Sequence, residues 1–330
     1  MKKFCDIKNR KIIAWGSGGL FRQCFEMKEI EIAYIIDNDN KKWGQSVFNI
    51  PIKSAESLKN EVNEDIVIII FSSYYKSIIS NIFRYADFEF YLCTELDCYY
   101  EIGTNNEFNR VKWLANKLYH LDNGKKILDA GAGEQQNKIF CEHLDYVAQD
   151  FAKYNGKGNE CGLQTDEWNY GKLDIISDIT NIPCGNESFD AIMCTEVFEH
   201  LPDPVSAIKE FSRLLKKGGK LILAAPFCSL THFAPYHFYS GFNRYFYEHF
   251  LNEYEFRIIE MNTSGDYFEY IAQELRRLSD VCKKYSDYHI EKDENKNIDQ
   301  VIKLLGSIEL GNINSQELLC YEYHVIAERM

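Results

Sequence analysis

The sequence predicts an α/β chain built from two doubly wound parallel-sheet units, and three observations carry that prediction. Two segments share one grammar, an apolar strand, a glycine-rich turn, a helix and a second strand ending in an acid. A polar patch with an amphipathic helix behind it lies between them. The 330 residues are 45% hydrophobic and 26% charged, enough apolar material for two cores.

In the first unit the strand Lys11–Trp15 runs into Gly16, Gly18 and Gly19, a helix is expected over 20–28, and a strand over 31–36 ends at Asp37. Apolar runs at 65–71 and 88–93 read as buried strands. Residues 98–106 read as the boundary, giving domains 1–103 and 104–330, and an amphipathic helix is expected over 108–121 with Val111, Leu114, Ala115 and Leu118 at helical spacing. The second unit opens on the strand 126–129, turns at Gly131 and Gly133 into a helix start, and continues with the strand 146–149 ending at Asp150. A strand over 191–195 follows. Asp203-Pro204 then opens a helix as N-cap and first residue. Val205, Ile208, Phe211 and Leu215 form its inner face, Lys216 and Lys217 sit at its negative end, and Gly218-Gly219 stop it. Strands at 221–225 and 321–327 complete the pattern, with a polar loop over 287–297.

Composition narrows the function. A formal net charge of −13 argues against nucleic acid or an anionic membrane as partner. No apolar run reaches the ~20 residues that span a bilayer, and the N-terminus has no signal-peptide pattern. The eleven cysteines form no C-x-x-C pair, so buried free thiols in a reducing cytoplasm are expected.

The chemistry concentrates in the second unit. Glycines at 131 and 133 let the backbone approach a ligand at the strand-to-helix turn. Asp150, ending the next strand, can accept both hydroxyls of a ribose. Asp178 before Ile179 can bond an adenine amino group while the apolar side chain covers the ring. With Phe189-Asp190-Ala191-Ile192, Glu196-Val197-Phe198-Glu199-His200-Leu201 and Leu214-Leu215-Lys216-Lys217-Gly218-Gly219-Lys220-Leu221, these parts resemble the class I S-adenosylmethionine methyltransferases over roughly residues 108–260 plus the final strand. One departure is Glu134-Gln135-Gln136, where many relatives keep a further Gly or Ser. The resemblance implies S-adenosylmethionine as cofactor, Gly131 and Gly133 as the pocket floor, Asp129 near the methionine part, Asp150 on the ribose, Asp178 and Ile179 on the adenine, and Glu196 at the methyl-donating end. A dinucleotide-binding Rossmann domain is the competing reading of these motifs.

After the strand 221–225 comes an aromatic- and histidine-rich segment, read as a cap on the methyltransferase fold. His200, His232 and His237 are candidate bases, and Tyr236, Tyr239 and Arg244 candidate substrate contacts; a cap packed on its own aromatics, with satisfied histidines, is the bland alternative. Glu196, Glu199 and His200 form an E-x-x-E-H run similar to one that can bind a divalent cation in ubiquinone-biosynthesis O-methyltransferases. The base is expected over the metal, because magnesium prefers all-oxygen ligands.

The spacing from Gly16-Ser17-Gly18-Gly19 to Asp37 matches a dinucleotide fingerprint. With Asp37-Asn38-Asp39, Gly44 and Ile50-Pro51-Ile52 it resembles small Rossmann-like domains of bacterial sugar-modifying enzymes. That implies a nucleotide or nucleotide-sugar site, or a scaffold that makes a homodimer. The expectation is thus two Rossmann-like domains, the second a methyltransferase acting on a small-molecule or sugar substrate, by O-methylation in surface-polysaccharide or related synthesis. The rivals are an inactive, nucleotide-binding scaffold and an NAD-dependent sugar-modifying enzyme.

Overall fold

The computed structural model describes residues 6–27, 30–96 and 101–330, in two compact units, Met1–Asn116 and Lys117–Met330. In the first, β1 (Lys11–Trp15) leads through the glycine turn into α1 (Gly19–Met27) and β2 (Tyr34–Ile36). A hairpin of β3 (Ser46–Val47) and β4 (Ile50–Lys53) follows, then β5 (Ile66–Ile70), α2 (Tyr75–Phe83) and β6 (Phe90–Leu92). The sheet order is β3-β4-β2-β1-β5-β6, parallel except for β3. All five residues of β5 are buried, as a strand covered on both faces requires. The strand expected from residue 31 forms only at Tyr34, because Ile30 and Ile32 enter the apolar core before the chain reaches the β1 ladder. The expected helix end at Lys28 and residues 98–100 of the expected boundary lie outside the described residues. The division between the units falls within α3 (Asn106–Tyr119), whose Val111, Leu114, Ala115 and Leu118 are buried.

The second unit contains β7 (Lys126–Ala130), β8 (Asp145–Asp150), β9 (Ile175–Ile176), β10 (Phe189–Thr195), α4 (Pro204–Leu214) and β11 (Leu215–Pro226). Then come α5 (Arg244–Glu253), β12 (Phe256–Ser264), α6 (Tyr267–Tyr285), α7 (Lys292–Glu309) and β13 (Glu322–Arg329). The seven strands are ordered β12-β13-β11-β10-β7-β8-β9, with β13 antiparallel between β11 and β12. The chain moves outward from β7 through β8 to β9, then returns to pair β10 on the other side of β7. The order reverses there, and a crevice opens at the carboxyl ends of β7 and β10.

Three expectations about local structure need correction. No α-helix follows Gly133: Gln135 has φ 57°, and only a 3-10 turn at Lys138–Phe140 forms before β8. Gly218-Gly219 do not stop α4, which ends at Leu214 and passes directly into β11. The extra residues are taken up by a register shift, Phe189 pairing Leu215 and Ala191 pairing Lys220, with Gly218 at φ 76°. The polar stretch 287–297 is partly helical, since α7 begins at Lys292 with a capping box between Glu291 and Glu294.

Asp203 caps α4 as its sequence predicts, accepting from the backbone N–H of Ser206 at 3.0 Å. The helix buries Ala207, Ile208, Phe211 and Leu214, while Val205 stays half-buried. Phe211 is fully enclosed and stacks near Phe198, 6.4 Å between centroids. Phe211→Ala should therefore cost about 3–5 kcal/mol in a denaturant titration, and Val205→Ala below about 1.5. Equal costs would contradict this assignment of the inner face.

Candidate active site

The site is assembled at the carboxyl end of β7. The N–H groups of Gly131 and Ala132 both donate to the carbonyl of Gln149, at 2.9 and 2.8 Å, and bend the chain across the end of β8. Gly131 has φ 77°, and a Cβ there would lie 2.5 Å from Val197 Cγ2, so the turn must be glycine for Val197 to lie over it. Gly133 has φ 50° and abuts Trp168, whose Cζ2 would be 3.0 Å from an added Cβ. Its N–H donates to Asp150 Oδ2 at 2.9 Å, and the N–H of Ala152 donates to Oδ1 at 2.9 Å.

Two buried carboxyls face this turn. Asp150 is 6% exposed, and burial raises its pKa against the backbone N–H groups that lower it. Asp129 accepts from Tyr146 Oη at 2.6 Å and has its pKa pushed up from 3.8 to about 7, first by burial and further by the charge of Asp150. A cationic ligand would relieve both, and the remaining lone pairs of Asp150 suit hydroxyl donors. Beyond β9, Asp178 is exposed and accepts from Thr180 N at 2.9 Å, while Ile179 is buried in a cluster with Leu128 and Ala130.

The other wall follows β10. Glu196 has φ 56° and donates its N–H to the carbonyl of Ala224 at 2.9 Å, turning the chain into a 3-10 turn at Phe198–His200. Phe198 anchors that turn among Phe211, Phe242 and Phe246. The carbonyl of Glu199 accepts from the N–H groups of Phe238 and Tyr239, at 2.8 and 3.2 Å, tying the histidine-rich cap to the turn.

The three predicted histidines come together here. Ring centroids are 4.6 Å apart for His200–His232, 4.9 Å for His232–His237 and 6.0 Å for His200–His237. His200 Nδ1 lies 2.5 Å from the carbonyl of Tyr236, and His232 Nδ1 lies 2.8 Å from that of Leu230. A carbonyl only accepts, so each Nδ1 carries the proton and each neutral ring keeps a lone pair on Nε2. Burial, with the neighbouring histidines, lowers the His200 pKa to about 3; burial also lowers those of His232 and His237. His237 Nε2 lies 3.2 Å from Ser229 Oγ, whose own proton goes to the carbonyl of Ser240 at 3.1 Å.

The candidate substrate residues divide. Tyr236 packs edge-on against Phe151, 5.1 Å between centroids, directly after Asp150. Tyr239 Oη donates to the carbonyl of Pro202 at 3.2 Å, and Arg244 is exposed and paired with Glu248 at 2.7 Å on α5.

Sequence reasoning missed the loop 151–174. Its Tyr154 and Trp168 pack on Phe233, at 4.6 and 5.3 Å, and Phe233 stacks on His200 at 5.2 Å. Leu163 N donates to the carbonyl of Thr231, and Phe233 N to that of Leu163, both at 2.9 Å. Trp168 thus links the Gly133 turn to the histidine cluster. The available signal was Gly156, Gly158 and Gly162 among aromatics: a Cβ on Gly158 would strike the carbonyl oxygen of Ala234 at 1.9 Å.

Comparison with known proteins gives the class. Residues 111–223 match a family model described as "Methyltransferase domain", and residues 174–276 match a second with the same description. The chain thus carries a methyltransferase domain over these residues. Similar curated proteins include "Ubiquinone biosynthesis O-methyltransferase" of Haemophilus ducreyi, 29% identical over 126 residues, 36% of this chain and 50% of that one. The protein so named from Xanthomonas oryzae pv. oryzae is 57% identical over 108 residues, 31% of this chain and 43% of that one. The chain thus spans half or less of the length of these relatives. Among solved structures, the [4+2]-cyclase SpnF aligns at a TM-score of 0.43 and 14% identity, covering 69% of this chain and 83% of that one.

The raised pKa of Asp129 gives a pH dependence with a definite sign. The folded value lies above the unfolded one, so the contribution to stability is complete below pH 3.8 and lost as the pH rises to about 7. The loss is on the order of 4 kcal/mol. Asp129→Asn keeps an acceptor for Tyr146. Its melting temperature should gain on the wild type between pH 4.5 and 7.5, then hold level. Parallel melting profiles would contradict a buried, uncompensated carboxyl.

Proposed function

We propose that this chain transfers a methyl group from S-adenosylmethionine to a hydroxyl of a small-molecule acceptor, and that the acceptor lies between the end of β10 and the cap. The observation that carries this reading is the shared wall from Gly133 through Trp168 and Phe233 to His200. It sets a donor pocket beside a cluster of neutral imidazoles. The close backbone of the glycine turn and the carboxylate of Asp150 would hold the donor, with Asp129 and Asp150 favouring its positive charge.

When bound, the donor supplies a methyl carbon on a sulfonium: the C–S bond breaks as the acceptor oxygen–carbon bond forms, and the electron pair stays on sulfur. The protein aligns the groups, excludes water with its aromatic wall and removes one proton from the hydroxyl. His237 is assigned that proton. Ser229 accepts its Nε2–H, so Nδ1 is free to take one. The names of the curated relatives support O-methylation. A carbohydrate acceptor is the finer reading, resting on the resemblance of the N-terminal sequence to domains of sugar-modifying enzymes.

That N-terminal unit contributes no chemistry in this reading. Asp37 accepts from Ser17 N at 3.1 Å, Ser17 Oγ, Asp39 N at 2.9 Å and Lys42 Nζ at 2.9 Å. Burial works against its charge, but these bonds prevail and lower its pKa, leaving the carboxylate internally satisfied.

Calorimetry should detect binding of S-adenosylmethionine and of its demethylated product, and Asp150→Ala should weaken both by about tenfold or more. A mass-read screen of sugar nucleotides and phenols should find an acceptor. On that acceptor His237→Ala should lower turnover at least about 100-fold with donor affinity spared. Failure of the wild type to bind either donor form would overturn the assignment, and unchanged turnover in His237→Ala would remove the base.

A further inference from the structure

We propose that Glu199, His200 and His232 form a binding site for a divalent first-row transition cation, such as zinc or cobalt, beside the methyl acceptor. Among the described residues, one carboxylate oxygen and two imidazole nitrogens from these three lie within 4.8 Å of one another; Glu196, the other acid of the E-x-x-E-H run, is not a member. The third ligand comes instead from the cap.

Three features carry the inference. First, the facing atoms are all electron-rich. Glu199 is a fully buried carboxyl, and its Oε1 lies 3.6 Å from His200 Nε2 and 3.8 Å from His232 Nε2, longer than hydrogen bonds. Each Nε2 bears a lone pair, because each Nδ1 donates to a backbone carbonyl. Second, the spacing is right. Ligand atoms about 2.1 Å from a tetrahedral centre stand about 3.4 Å apart, so the two carboxylate–imidazole distances, 3.6 and 3.8 Å, need to close by only a few tenths of an ångström. Third, the outer partners are those of metal-bound imidazoles, whose remaining N–H is donated to a carbonyl that fixes the ring's orientation.

The ligand set selects the ion. Two nitrogens and one carboxylate suit zinc, iron, cobalt or nickel, while magnesium and calcium favour oxygen. Three protein ligands also leave room for an outside oxygen. This deepens the proposed reaction and rests on it: a hydroxyl reaching the cation loses its proton more readily, and His237, outside the set, is the group that takes it. The ion would also join the turn after β10 to the cap and thereby order the acceptor wall.

The test is titration of the metal-stripped full chain with cobalt(II), read by visible absorption, with zinc competition. One equivalent should bind and give the intense bands of a four- or five-coordinate ion, which zinc bleaches. Glu199→Gln and His232→Ala should each weaken cobalt binding by more than about 100-fold. Glu196→Gln should leave it within about threefold. Calorimetry with S-adenosylmethionine on the same variants shows whether the donor pocket still folds, so failure of the metal site and failure of the donor reading are distinguishable. Absence of a cobalt spectrum in the wild type, or an unchanged spectrum in His232→Ala, would overturn the proposal.

Discussion

The burial of Phe198 fixes the short turn at the end of β10, and most of the site depends on that turn. With Phe198 enclosed by three other phenylalanines, the residues on either side have little freedom. Val197 is pressed onto Gly131, where φ is positive and a Cβ would collide with it. Glu199 is driven inside, where its carbonyl collects two N–H groups of the cap. His200 then meets the carbonyl of Tyr236 and the face of Phe233. One apolar anchor thereby positions the glycine turn, the cap and an imidazole.

Electrostatics runs against this packing, and the conflict is informative. Asp129, Asp150 and Glu199 are all buried near the crevice, in a chain whose net charge is already −13. Burial raises the pKa of both aspartates, so the folded protein holds them at a cost. Such a cost is usual where a ligand supplies the missing charge. Under the proposals above, a sulfonium donor would do so for the aspartates and a metal cation would sit beside Glu199.

Much of this was legible in the sequence, for reasons that differ by residue. Gly131, Gly133 and Asp150 could be read because a strand, a turn and an acid have fixed spacing when backbone atoms bond one another, as the Gly133–Asp150 contact does. Asp203 and Pro204 could be read because a helix cap is local chemistry. The absent helix after Gly133 could not, since a polar run such as Glu134-Gln135-Gln136 is compatible with a helix start or a turn, and the short return to β8 decided it. Nor could Trp168. Its role arises from packing against Phe233, 65 residues away in a loop without period, and only the glycines around it hinted at close backbone approach. The proposed metal set was half legible: the Glu199-His200 pair lies in one motif, whereas His232 joins it through the fold of the cap.

The two glycine-turn units show how one local grammar can end in different chemistry. In both, an acid at the end of the second strand bonds a backbone N–H of the turn, Asp37 that of Ser17 and Asp150 that of Gly133. The difference lies in what else reaches the carboxylate. Lys42 and the hydroxyl of Ser17 bond Asp37 and lower its pKa, so its charge is answered within the protein. Asp150 bonds backbone N–H groups that do not offset its burial, and its pKa is raised. A ligand offering hydroxyls or positive charge gains little at the first carboxylate and more at the second. The glycine spacing alone does not separate these cases. A lysine five residues beyond the acid, brought back by the 3-10 turn Asn40–Lys42, does.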